Sequence, residues 1–332
     1  FSDCPISMRN GIIRVDVAWT QVSPPDKHGF CTFGISCDYE RAAVEAARLV
    51  VAEVNPNMPR TFGDTLIHVS EIDYFVLSDR PLIEMKKPEV GPVEETIGKY
   101  VADLVEDGAT MQFGVGAIPN ALISLLKEKN DLGINSELFS DGAMELIKSG
   151  NVTNKYKKLH RGKSTTTFAA GTQELYEWLD NNPAVEFYPV DYINNSYMIA
   201  QNDKVFSVNS ALQVDLMGQV AAETINGVQF SGIGGQMDFV RGATWSKGGK
   251  SIIALPATAK GGTISRIVST FKPGDAVTTP RNDVDYVITE FGVAHLRGVD
   301  MQERARRLIS IAAPQFRDQL KEEYEQVYKY KL

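Results

Sequence analysis

The sequence predicts an α/β fold: a mostly parallel sheet with helices on both faces. Three observations carry this reading. Short β-branched runs such as "TMQFGVG" and "VDYVITEFG" alternate with stretches of helical spacing along the 332 residues. Glycine and proline punctuate the joins. The composition, 43% hydrophobic and 23% charged, suits a globular chain able to bury such a sheet.

The elements follow in order. The start, "FSDCPISMRNGI", shows no recognisable first element and no initiator Met. Residues 12–22, "IIRVDVAWTQV", alternate and predict a strand. After the turn "SPPDKHG" comes the short β-like run "FCTFGISCD". Residues 39–55, "YERAAVEAARLVVAEVN", have apolar residues at helical spacing and predict one helix. "DYFVLSD" predicts a strand. Residues 91–109 predict a helix with Pro92 near its start and Gly108 near its end. The proline-rich segment 80–95 between them is the expected linker, dividing the chain into 1–90 and 91–332. Beyond it "TMQFGVG" is a strand, "PNALISLLKEKN" a helix, "INSELFSDG" a strand and turn, and "AMELIKSG" the start of a helix. Further strands are expected at "STTTFAAG", "VEFYPVD", "KVFSVNSAL", "SIIALPAT" and "VDYVITEFG", and helices at "MQERARRLISIAA" and "QFRDQLKEEYEQVYKY".

Composition also excludes some functions. A formal net charge of −8 argues against nucleic acid, whose phosphates need clustered Lys and Arg. No segment approaches the roughly 18 consecutive apolar residues of a membrane span. Cys4, Cys31 and Cys37 lack C-x-x-C spacing, and the four histidines lack paired spacing, so neither a disulfide framework nor a metal site is expected. Reduced thiols and the lack of a secretory signal point to a cytoplasmic protein.

Two constellations carry chemistry. In "FGVGAIPNAL", Gly114 and Gly116 stand between a strand and a helix, where main-chain N–H groups can approach an anion. Glu137 follows Gly116 by 21 residues, near the offset of a dinucleotide-binding fingerprint, but Pro119 replaces the third glycine. The loop therefore reads as a dinucleotide site, as a cradle for another large anionic or thioester ligand with Glu137 reacting nearby, or as an ordinary turn with a solvated Glu. The second constellation is the glycine cluster at 227–249, in which the "GGQ" of Gly234, Gly235 and Gln236 can present N–H groups to an oxyanion. Asp238 and Arg241 are expected to pair with each other. Lys260 precedes Gly261-Gly262 and is either a surface charge or a contact for a phosphate or carboxylate.

Taken together, "SPPDKHGFCTFGISCDY", "GVGAIPNAL", "GINSELFSDG", "SGIGGQMDFVRGA", "LPATAKGGTISRIV" and "DYVITEFGVAHLRG" resemble the coenzyme A transferase family. The nearest branch holds the 4-hydroxybutyrate and butyryl-CoA:acetate CoA-transferases and the acetyl-CoA hydrolases. The resemblance implies two α/β halves, each an open, mostly parallel sheet flanked by helices. It implies Glu137 as the nucleophile, Gly235 as an oxyanion donor, and Gly114, Val115, Gly116, Ala117, Ile118, Gly234 and Lys260 as contacts of CoA. CoA is then a substrate and no cofactor is permanently bound. The other expected partners are an acyl-CoA, a short-chain carboxylate and further copies of the chain in a homo-oligomer; acyl-CoA hydrolysis at the same Glu is the alternative. Asn135-Ser136 stands where the branch often has His-Thr, and Gln213 where it usually has Glu. The family also carries about a hundred residues before the counterpart of "FSDCP", so the resemblance implies a chain lacking part of its first half.

Overall fold

The computed structural model describes residues 1–114 and 116–332. Its centre is a six-stranded sheet. In spatial order the strands are Gly292–His295, Tyr286–Thr289, Lys250–Ala254, Val205–Ser210, Thr110–Phe113 and Gly133–Ile134. All neighbours are parallel except the outer hairpin of the first two. The inner strands are buried on both faces, which is why they read as continuous apolar runs rather than as alternation. Ile252, Ala254 and Ile288 pack towards the helices Pro92–Leu104 and Ala117–Leu125 through Ile97, Val101 and Leu122. Ile253 and Val287 point the other way, into a core with Val240, Leu308 and Ile311 from the helices Gln236–Trp245 and Met301–Ile311. The predicted α/β layering is therefore observed.

Two smaller parallel sheets complete the frame. One joins Val17–Val22, Leu49–Val54 and Tyr74–Leu77. The other joins Ser164–Thr166, Val185–Phe187 and Phe62–Gly63, so chain from both sides of residue 90 shares a sheet. The expected linker lacks regular structure as far as Gly91, its last residues from Pro92 begin the helix Pro92–Leu104, and its Ile83 and Met85 lie against the helix Gln173–Leu179. Tyr176 donates its hydroxyl to Ile83 O at 2.8 Å, and the Met85 amide donates to Gly171 O at 2.9 Å.

Several sequence expectations are corrected. The single helix over 39–55 is instead a helix Glu40–Ala46 followed by the strand Leu49–Val54. The Leu-Val-Val run is the middle strand of its sheet, and tertiary pairing overrides a period that fits either structure. The start of the chain does form an element, the helix Asp3–Arg9, and the strand predicted from residue 12 begins at Val17. Within the glycine cluster Gln236–Trp245 is helical, and its Gly242 packs flat against Ile199, where a Cβ would clash. The run "VEFYPVD" leaves the sheet after Phe187, and Pro189 caps a short helix, Val190–Ile193.

Candidate active site

Glu137 sits between the last residue of one sheet and the first of another strand. Ser136, fully buried, reaches across to the end of the strand Thr110–Phe113. It accepts from the Phe113 amide at 3.2 Å and donates to the Phe113 carbonyl at 3.3 Å. On the far side the Glu137 carbonyl accepts three hydrogen bonds, from Thr166 Oγ1 at 2.9 Å and from the amides of Thr167 and Phe168 at 3.1 Å each. The backbone of the carboxylate is thus fixed from both neighbours. Its side chain enters a cavity of about 570 Å³ whose walls include Ile35, Asp38, Tyr39, Phe168 and Gly234.

Two groups from distant sequence meet the carboxylate. Asn194, fully buried at the end of the helix Val190–Ile193, donates from Nδ2 to Glu137 Oε2. Gly235 caps the helix Gln236–Trp245, and a Cβ there would collide with both Glu137 Oε2 and Asn194 Nδ2. Only glycine lets this helix end approach so closely. Its first-turn N–H groups lack partners inside the helix, so the approach brings a partial positive charge to the carboxylate. The opposing influence is desolvation. Burial raises the Glu137 carboxyl above its ordinary range, and the Asn194 hydrogen bond acts the other way. Asp38 in the cavity wall and Asp238 in the first helical turn are also raised, chiefly by burial.

The residues singled out in the sequence are not all in one place. Gly234 lines the cavity and Gly235 touches Glu137. The Gly114 amide donates to Val208 O at 3.1 Å directly after Phe113, which Ser136 grips, so Gly114 lies near the segment that carries Glu137. Gly116 has φ +131°, a conformation that requires glycine, and starts the helix Ala117–Leu125. Ala117 opens that helix, and Ile118 is spent in the core. Val115 lies outside the described residues. Lys260 is exposed at the tip of the hairpin formed by Thr258–Ala259 and Ile264–Ser265, and is not part of the cavity wall. Asp238 and Arg241 do not pair. Arg241 meets Asp283 at 3.6 Å, and Asp238 accepts from Ser2 Oγ at 2.9 Å. Sequence reading missed Asn194, 57 residues from Glu137, because an amide in "DYINNSY" has no spacing signal. It also missed Asp38, although that residue closes a motif it had quoted. No group of His, Cys, Asp and Glu able to hold a metal occurs among the described residues, and no helix there is long and apolar enough to cross a membrane.

Comparison with known proteins identifies the family. Residues 1–85 match the acetyl-CoA hydrolase/transferase N-terminal domain and residues 171–324 its C-terminal domain. The chain is 55% identical to the 4-hydroxybutyrate coenzyme A transferase of Clostridium kluyveri, over 98% of its own length and 76% of that protein's. It is 40% identical to the butyryl-CoA:acetate CoA-transferase of Anaerostipes caccae, over 96% of this chain and 74% of the other. The crystal structure of RipA from Yersinia pestis superposes with a TM-score of 0.95 at 45% identity, covering 99% of this chain and 74% of that one. With a carboxylate held at a cavity by an amide and a helix end, and relatives of this closeness, the chain belongs to the acetyl-CoA hydrolase/transferase family and is an enzyme of the CoA-transferase type.

Proposed function

We propose that the protein moves CoA between a short-chain acyl-CoA and a free carboxylic acid, with Glu137 as covalent carrier. The observation that supports it best is the Glu137 carboxylate at a cavity wall, bonded by Asn194 and approached by the Gly235 helix end. A Glu137 oxygen attacks the acyl-CoA carbonyl carbon, the C–S bond breaks, and CoA leaves as thiolate from a mixed anhydride. The thiolate then attacks the Glu137 carboxyl carbon, releasing the first acid as carboxylate and leaving a glutamyl-CoA thioester. The second acid reverses both steps. The thioester energy is conserved throughout, and the kinetics are ping-pong.

Each attack builds an oxyanion. When the reaction centre is the Glu137 carboxyl carbon, Asn194 Nδ2 already points at the oxygen that becomes negative. The main-chain donors at Gly235 serve the same charge, and one such donor lowers a barrier by about 2.7–4 kcal/mol. No separate general base is required, because a carboxylate is itself the nucleophile once ionised. The largely apolar cavity suits a short acyl chain, and butyryl, 4-hydroxybutyryl and acetyl groups are the substrates that the relatives' names suggest. The turn carrying Gly114 and Gly116 is assigned to the pantetheine arm, whereas Ile118 is core and is left out of that contact. Lys260, in no ion pair among the described residues, is assigned to the phosphates at the other end of CoA. Water reaching the thioester would turn the same site into a hydrolase.

The test is chemical. Incubation with acetyl- or butyryl-CoA followed by borohydride should reduce the thioester, inactivate the enzyme and leave the mass change on the peptide carrying Glu137. An unmodified Glu137 after full exposure to acyl-CoA would remove the covalent carrier. Release of free CoA without any acceptor acid, as fast as with acetate present, would reassign the activity to hydrolysis.

A further inference from the structure

Beneath the segment that joins the strand Gly133–Ile134 to Glu137 lies a buried lysine that none of the chemistry above uses. Lys157 is 3% exposed. Its ammonium donates to Ile134 O at 2.7 Å, Lys163 O at 2.8 Å and Thr165 Oγ1 at 2.9 Å, so three protons meet three acceptors. These acceptors belong to different sheets. Ile134 ends the outermost strand of the six-stranded sheet, and Thr165 lies in the strand Ser164–Thr166 of the smaller one. Thr165 passes the connection on. Its hydroxyl donates to Asn135 Oδ1 at 2.8 Å, and its carbonyl accepts from the Ser136 amide at 3.1 Å. The next residue in each strand makes the final link, Thr166 Oγ1 to the Glu137 carbonyl. Gly133 is part of the same device, since a Cβ there would lie 2.8 Å from Lys157 Cγ and block the stem.

We propose that Lys157 is a positioning residue for the transfer reaction, its ammonium pinning the two sheet edges between which Glu137 is presented to substrate. The proposal rests on Glu137 being the nucleophile. Burial pulls the Lys157 ammonium down to about 7, a cost that an apolar residue filling the seam would avoid, and the three acceptors around Nζ favour its charged form. What the ammonium adds is direction: three bonds fix the spacing of Ile134, Lys163 and Thr165 at once, and Glu137 lies three residues past the first of these. Displacement of a reacting group by about 1 Å costs roughly 100-fold in rate.

Lys157→Met keeps the stem and deletes the donors. Thr165→Val keeps the shape and deletes the link to Asn135. In each variant, with a far-UV spectrum like the native one, kcat should fall by about 100-fold while KM for acyl-CoA stays within about two-fold. The double variant should be little worse than the worse single one, because the two residues act in one chain. If Lys157→Met does not fold, Thr165→Val decides alone. A folded variant with kcat within two-fold of native, or one whose loss lies wholly in KM, overturns the proposal. Borohydride trapping on the native protein separates this from the parent reading. If Glu137 is unmodified there, the nucleophile assignment fails. If Glu137 is modified and the variants keep full kcat, only the role of Lys157 falls.

Discussion

Asn194 Nδ2 donates to Glu137 Oε2 from a side chain with no solvent exposure, while the second amide atom, Oδ1, has no hydrogen-bond partner among the described residues. The amide is therefore held largely by packing, with its Nδ2 turned to the acidic groups of the site, Glu137 and Asp238. Asn194→Ala should lower kcat by about 100- to 1000-fold with a small change in KM, the size expected for loss of one oxyanion donor. Steady-state kinetics with an acyl-CoA and acetate would check it, and a variant with native kcat would exclude this donor.

Gly235→Ala tests the closeness of the helix end. The added methyl cannot fit beside Glu137 Oε2 and Asn194 Nδ2 without displacing one of them. The variant should fold, since the position is a cap rather than a core site, and should lose at least about 100-fold in kcat, the cost of misplacing the proposed nucleophile. Retained trapping of the glutamyl thioester at the native rate would contradict this.

The pH profile should show Glu137 directly. Burial raises its carboxyl, and only the ionised form attacks, so activity should be lost on the acid side with a midpoint above the ordinary Glu value of about 4.3. The Asn194 bond favours the charged form, so Asn194→Ala should move that midpoint further up. The rate against pH for both proteins is the measurement. A native midpoint at or below the ordinary value would mean that the titrating group is solvated.

Glu40 gives a stability test away from the chemistry. Burial first, then Asp38, pushes its carboxyl up to about 7. The folded protein thus holds this proton more tightly than the unfolded chain. The stability it contributes is present below the unfolded pKa and is lost as pH rises through about 7. Glu40→Gln, which stays neutral, should match the native protein near pH 4.5. It should exceed it at pH 8 by on the order of 3 kcal/mol, with the gap opening between those values. Thermal melts at the two pH values would show it, and a gap constant with pH would not fit a buried titrating Glu40.

Much of this was legible in the sequence for a physical reason. The central strands are short apolar runs, with glycine at the edge of Thr110–Phe113 and Lys250–Ala254 and Asn-Asp before Val205–Ser210, so they announce themselves. Glu137 and the "GGQ" turn were found because each belongs to a contiguous motif. The helix–strand break at Ala47 was not visible, because an Ala-rich helix and a Val-rich buried strand share one unbroken apolar pattern. Asn194 and Lys157 were missed because their importance is a contact across 57 residues in one case and a seam between two sheets in the other. Local periodicity carries neither.

The carbonyl of Glu137 takes three hydrogen bonds from residues 166–168. A main chain clamped in this way leaves only the side-chain torsions free, a tether a few ångströms long. In the proposed mechanism a carrier at Glu137 therefore cannot travel between a loading dock and an unloading dock as a swinging arm does. Thiol and acid would both come to one fixed point, arriving and leaving by turns, and the order of their traffic would be imposed by the immobility of the post at which they change places.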